Sequence, residues 1–275
     1  MVAEPLHQMD QMDQMDREDR QEPRDDVREV RPRAAPWTLM YHSVDAYQED
    51  PHQVTITPER FAGQMAWLRR RGLRGVAISE LLRAHGAGTA AGLVGLTFDD
   101  GYADLSREVL PVLDRCGFTA TAFVVAGRLG GHNCWDADGP RKPLLTPDQL
   151  RQLAGSGVEI GSHGLLHRSL VGLGPDELEQ ETRRSRELLE EIAGRPVSGF
   201  CYPYGALDAP ALASVRNSGY DYAVAIGHGA LTGRWALPRS FVGERDTGWR
   251  LHAKRARHQL RGLRTRTDHN RRSPA

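Results

Sequence analysis

From residue 36 onward, short apolar runs alternate with longer amphipathic ones. The short runs lie at 37–42 (WTLMYH), 74–78 (RGVAI), 93–98, 119–126 (TATAFVVA), 157–161, 198–203 and 222–226, with a weaker one near 237–242. Their length and their content of β-branched and aromatic residues predict strands. Between them a helical period predicts helices over 58–71, 79–85, 105–116, 146–155, 175–194 and 208–218. Thr57-Pro58-Glu59, Thr146-Pro147-Asp148 and Gly174-Pro175-Asp176 each place proline in a first turn. Gly72, Gly117, Gly155 and Gly219 stand where helices should stop.

Strand-helix alternation repeated about seven times implies a parallel sheet with helices outside it. Periodicity alone does not separate a closed barrel from an open doubly wound sheet. The polar residues do, because they fall at strand ends. Tyr41-His42 close the first strand, Asp99-Asp100 the third, Ser162-His163 the fifth and Tyr202-Pro203-Tyr204-Gly205 the sixth. In a barrel the C-terminal strand ends share one mouth. An open sheet would gather them at one switch point instead. The α/β class with a barrel architecture is therefore expected.

Composition divides the chain further. Its 275 residues carry 36 Lys/Arg and 36 Asp/Glu, so no net charge calls for a nucleic-acid partner. The charges are unevenly placed. Residues 1–35 hold ten acids, six arginines and the repeat QMDQMDQMD, a composition that buries too little apolar surface to order a chain. They are read as a disordered low-complexity tail, or as the product of an upstream start codon, and excluded from the fold. The far end, 251–275, is read as a basic tail: from Arg250 on there are nine Lys/Arg and one acid. A terminal helix fraying into solvent is one reading. A weak contact with an anionic membrane surface or an acidic glycan is the other. The globular part is placed at 36–250. No run approaches the ~18–20 apolar residues of a membrane span, and the N-terminus lacks a secretory pattern. Cys116, Cys134 and Cys201 form no disulfide framework or CxxC pair. A reduced, cytoplasmic protein is expected.

The candidate chemistry begins with GLTFDDGYADL, where a buried-type strand ends in two adjacent carboxylates, Asp99 and Asp100. Like charges side by side repel, at a cost that rises with burial. In GVEIGSHGLLHRSL, His163 and His167 are four apart, a spacing that puts both rings on one face of a helical turn. Asp100 supplies an oxygen to complete a His-His-Asp set. Zinc fits these donors best, and nickel or cobalt suit them too. A cation would relax the repulsion and leave Asp99 ionised as a base for water activated beside it. An Asp-Asp-Gly turn without chemistry is the alternative.

TFDDG, GSHGLLH and YPYG, in this order, resemble the motifs of the polysaccharide deacetylases (NodB homology, carbohydrate esterase family 4). The likeness runs from about Pro36 to about Arg250. It implies a distorted (β/α) barrel of about seven strands and metal-dependent hydrolysis of an N-acetyl, occasionally O-acetyl, group on a glycan. Asp99 matches the catalytic base, and Asp100, His163 and His167 match the metal ligands. The backbone N–H of Tyr204 matches the oxyanion donor, and Tyr202 lies beside it on the substrate side. Two departures stand out. The arginine usually found ahead of the motif proline is absent from Phe200-Cys201-Tyr202, and Arg239, from a later strand, is the proposed replacement near base and substrate. The usual Leu-x-His general acid is missing as well. His42, in LMYHSV, takes that role by likeness to the poly-N-acetylglucosamine deacetylase branch, whose motif order is permuted; a merely packed histidine is the alternative.

The long, glycine-rich connection 127–145 reads as a functional loop. Its Trp135 either stacks on a sugar or pins the loop to the rim. The expected function is removal of an N-acetyl group from an N-acetylhexosamine-containing glycan or glycoconjugate. A deacetylase of a small or lipid-linked N-acyl sugar and a non-catalytic, metal-containing glycan-binding protein are the rivals.

Overall fold

The computed structural model describes residues 35–272, with side chains through Arg261. The acidic repeat segment expected to be disordered, Ala35 apart, lies outside the described residues. The chain enters through β1 (Thr38–Tyr41), a two-residue ribbon of β2 (Ser43–Val44) and β3 (Thr55–Ile56), and α1 (Pro58–Arg70). The Thr57 hydroxyl caps α1 by accepting the Arg60 N–H at 3.2 Å. Next come β4 (Arg74–Val76), α2 (Ile78–Ala87) and β5 (Leu93–Phe98). A wide helical segment at Leu105–Val109 runs into α3 (Leu110–Cys116), which stops at Gly117 with φ 65°.

The second half repeats the alternation: β6 (Thr121–Val124), α4 (Pro147–Gly155), β7 (Glu159–Ser162), then α5 (Pro175–Glu179) joined through Gln180–Arg184 to α6 (Ser185–Ala193). The chain continues through β8 (Gly199–Cys201), α7 (Ala209–Asn217), β9 (Tyr222–Ile226), β10 (Leu237–Phe241) and α8 (Gly248–Arg272). Thr146 and Gln149 cap α4 reciprocally, at the start where Thr146-Pro147-Asp148 place proline in the first turn.

All pairings around the ring are parallel, in the order β1-β10-β9-β8-β7-β6-β5, and β1 closes it by pairing with β5 (Leu39 opposite Leu96, Tyr41 opposite Phe98). The result is a closed barrel of seven parallel strands with helices outside. β4 is extra: it pairs with the first half of β5, and β6 takes the second half of the same edge. This wedge distorts the barrel.

Strand alternation sorts the side chains into two layers. Leu39, Tyr41, Leu96, Phe98, Ala122, Val124, Phe200 and Tyr202 face the helices and form the larger apolar cluster. Phe123, Cys201, Tyr222, Val224 and Leu237 form a smaller cluster with Ile78 and Leu81 of α2. A Cβ on the inward Gly95 would meet Ile78 at 2.7 Å and Leu81 at 2.9 Å, so α2 packs into the barrel where β5 begins. The C-terminal ends of the strands remain for chemistry.

The boundary expected at residue 250 falls inside α8. Leu251 is fully enclosed in the larger cluster, and the buried His258 contacts the Ala35 carbonyl through Nε2 at 2.8 Å. The apolar anchor at Leu251 joins the start of the basic segment to the barrel.

Candidate active site

Asp99 follows β5 in register: its N–H donates to the Tyr41 carbonyl at 3.0 Å, and alternation turns its side chain inward with Gly95 and Thr97. The next residue would face outward. Instead Asp100 adopts φ 70° and Gly101 φ 74°, so the alternation breaks and both carboxylates reach the mouth. The bend starts at Asp100 itself, one residue before Gly101. His167 (φ 62°) and Tyr204 (φ 60°) are also left-handed. Three of the four non-glycine residues with positive φ among the described residues thus belong to this site, each held there at a cost of about 1–2 kcal/mol.

His163 and His167 converge as expected, but not on a helical turn. They lie in an irregular segment after β7, where Gly164 takes φ 82°. Buried Glu181 holds this segment, accepting the N–H groups of Leu165 at 2.8 Å and Leu166 at 3.1 Å. A Cβ at residue 164 would stand 2.7 Å from the same carboxylate. Sequence reasoning missed Glu181, since it sits in an ordinary charged helix pattern.

His163 Nε2 lies 3.3 Å and His167 Nε2 3.4 Å from Asp100 Oδ1. The three donor atoms lie within 4.8 Å of one another, and all three residues are buried. His163 Nδ1 donates to the Cys201 carbonyl at 2.8 Å, which can only accept; Nε2 is therefore the nitrogen left to ligate. The residues fit a divalent cation. Without one, burial opposes charge on Asp100, but hydrogen bonds from His163 and His167 hold its carboxyl well below the usual range. Burial also opposes charge on His163, yet Cys201 and Asp100 hold this ring well above the ordinary histidine value. At His167 burial prevails and the pKa falls.

Arg239 reaches the base from β10. Its Nη1 donates to Asp99 Oδ1 at 2.6 Å and its Nη2 to Oδ2 at 2.8 Å. Further donors go to the Ala225 carbonyl (3.2 Å), the Thr97 hydroxyl (3.0 Å) and Cys201 Sγ (3.1 Å). Burial alone would raise the Asp99 carboxyl; the Arg239 charge and hydrogen bonds outweigh it, and the pKa is lowered. This guanidinium lies on Asp99, where the replacement for the absent motif arginine is expected. As a substrate contact it fails: it is enclosed, and its donors are already taken. Tyr202 is likewise corrected. Strand alternation puts it on the helix side, 1 % exposed, with its hydroxyl donating to the Trp235 carbonyl at 3.0 Å.

His42 Nε2 stands 4.0 Å from Asp99 Oδ2, its side chain mostly buried at 16% exposure. Trp135 stacks one face on His167 at 4.4 Å, so this loop residue braces a ligand. Tyr204, 57 % exposed, meets the His167 ring edge-on at 4.7 Å. Cys201 is buried, and burial pushes its thiol up, which fits an inert packing and hydrogen-bonding role.

A parallel barrel whose mouth gathers paired carboxylates, one of them held by a guanidinium, and two imidazoles has the architecture of a barrel hydrolase. Comparison with known proteins narrows this class. Residues 86–223, just over half of the chain, match the family model described as polysaccharide deacetylase. The chain belongs to the polysaccharide deacetylase family and is a hydrolase of acetylated carbohydrate. It is 28% identical to YxkH of Bacillus subtilis over 218 residues, 78% of this chain and 73% of that one. It is 20% identical to the poly-beta-1,6-N-acetyl-D-glucosamine N-deacetylase of Staphylococcus aureus over 203 residues, 69% and 68% of the two chains. Among solved structures, the Streptococcus pyogenes deacetylase PplD in complex with acetate superposes with a TM-score of 0.68 at 22% identity, covering 81% of this chain and 99% of that one. That likeness shows the shared barrel.

Proposed function

We propose that this deacetylase removes N-acetyl groups from an N-acetylhexosamine-containing glycan, using a divalent cation, zinc first, held by Asp100, His163 and His167. The observation that carries the reading is the pairing of two sets at one mouth: three convergent ligand atoms beside a separate carboxylate held by arginine. The cation would supply Lewis acidity, lowering the pKa of water and polarising the acetamide carbonyl. Asp99, fixed in direction by Arg239, takes the proton of the attacking water. The Tyr204 N–H donates to the carbonyl oxygen as charge develops there, an interaction worth about 3–4 kcal/mol in comparable sites. His42, 4.0 Å from the base, gives a proton to the departing amine. The Staphylococcus aureus relative supports a poly-N-acetylglucosamine substrate. The guanidinium on Asp99 argues against a binding protein without activity, which has no need of an oriented base.

The test is acetate release from β-1,6-linked N-acetylglucosamine oligomers, nucleotide sugars and glycolipids, with and without chelator, alongside metal analysis. Asp99→Asn should retain the metal and lose about 10²–10⁴-fold in rate. Asp100→Ala and His163→Ala should lose the metal itself. His42→Ala should slow amide cleavage far more than cleavage of p-nitrophenyl acetate, whose leaving group needs no proton. Chelator-resistant turnover, or a metal-free Asp99→Asn protein, would sink the assignment.

A further inference from the structure

The outer face of α8 has no part in the site. Trp249, Ala253, Ala256 and Leu260 recur at intervals of four, three and four, which places them within roughly 60° of the helix circumference. All four are exposed, Trp249 at 71% and Leu260 at 61%. Leu251 and His258, which seat the helix on the barrel, lie on the opposite side. Arg250, Arg257 and Arg261 border one edge of the stripe, with His252 and Gln259 on the other. The Arg250 guanidinium lies over the Trp249 ring at 5.5 Å. Asp246 pairs with Lys254 at 2.6 Å and Arg250 at 3.5 Å; it precedes the helix, and Asp268 is the only acid within it.

We propose that this face docks on an anionic phospholipid surface. An apolar stripe carrying an exposed tryptophan, bordered by arginines, matches a helix lying in the headgroup layer, where rings and alkyl groups enter the acyl boundary and cations meet lipid phosphates. The charge selects this occupant. A second copy of α8 would bring two arginine rows together, and an acidic polymer would engage the arginines while leaving Trp249 and Leu260 in water. The position suits a deacetylase. Lys254 donates to the Phe241 carbonyl at 2.6 Å, and the Phe241 ring lies 6.1 Å from that of His42, so the first turns of α8 flank the catalytic mouth. Seating the helix on lipid brings the edge of that mouth to the surface.

Deleting the helix would remove Leu251 from the core, so the test uses exposed positions in the full chain. Vesicles of phosphatidylcholine with phosphatidylglycerol should co-sediment the protein in a salt-sensitive manner, and phosphatidylcholine alone should not. Trp249→Ser/Leu260→Ser should weaken binding at least about tenfold, and Arg257→Ala about fivefold. Both variants should keep the parent melting temperature and its acetate release from soluble substrate. Absence of binding to anionic vesicles overturns the proposal. So does binding that survives the double substitution, which would make the face a patch for acidic polymers. A dimer in light scattering that the double variant dissolves also overturns it, because the stripe would then be a self-contact.

Discussion

At the Asp99 carboxylate two effects of opposite sign meet: burial, which disfavours its charge, and the Arg239 fork, which favours it. A buried pair of this kind adds little over a well-packed apolar pair, but breaking it strands a charge. Arg239→Met should therefore cost roughly 3–5 kcal/mol in urea unfolding at neutral pH. In an Asp99→Asn background the same change should cost much less, because no charge is left uncompensated. The difference between the two is the coupling energy, and a value near zero would refute the pairing. Arg239→Lys should fall between, since an ammonium cannot make both parallel bonds. The four residues Asp99, Asp100, His163 and His167 were legible in the sequence because their spacing and strand-end positions carry chemical meaning. Arg239 was legible only as a substitute for an absence. Tyr202 misled because it stands in the YPYG motif, although alternation along β8 sends it to the other face.

At the scale of elements, the ribbon of β2 and β3 is tied to the wide segment before α3 through one buried carboxylate. Asp104 accepts the Ser43 hydroxyl at 2.6 Å and the Val44 N–H at 3.2 Å, while Lys142 from the Trp135 loop donates to the same hydroxyl at 2.8 Å. Burial raises the Asp104 pKa, the hydrogen bonds and Lys142 pull it back, and it is left at about 6. The folded protein thus binds this proton more tightly than the unfolded chain, whose value is near 3.8. This group's contribution to stability is fully present below about pH 4 and declines as pH rises to about 6, by up to roughly 3 kcal/mol. Asp104→Asn should lack that decline. Urea unfolding at a series of pH values should show the variant gaining on the parent between pH 4 and 6.5; parallel curves would show that Asp104 titrates normally. None of this was legible. Two-residue strands have no period, and the expected helical turn at His163–His167 was displaced by a left-handed glycine and the Glu181 carboxylate, partners separated by 17 residues.

For the whole molecule, Asp100, His163 and His167 join the end of β5 to the segment after β7, with β6 between them. A cation bound there stabilises the fold by binding only the folded chain. At a free zinc concentration about a hundredfold above its dissociation constant the gain is about 2.7 kcal/mol, or roughly 5–10 °C in melting temperature for a domain of this size. Calorimetry of the full chain should show that shift, its reversal by chelator, and its loss in Asp100→Ala. A melting temperature indifferent to zinc, nickel and cobalt would count against a metal centre at these residues.

The sequence by itself determined the strands of the ring, the helices between them and their order, because hydrophobic period, proline starts and glycine stops act over a few residues at a time. β5 and β9 fall at 93–98 and 222–226, where the apolar runs predict them. It also determined which strand ends carry Asp99, Asp100 and His163. Tertiary structure alone decided the closure of β1 onto β5, the wedge of β4, the direction of each carboxylate at the Asp99-Asp100 bend, and the enclosure of Arg239 around the base. Those outcomes depend on contacts between residues as far apart as Asp99 and Arg239 and on left-handed backbone at Asp100, His167 and Tyr204, which only the surrounding packing can hold in place.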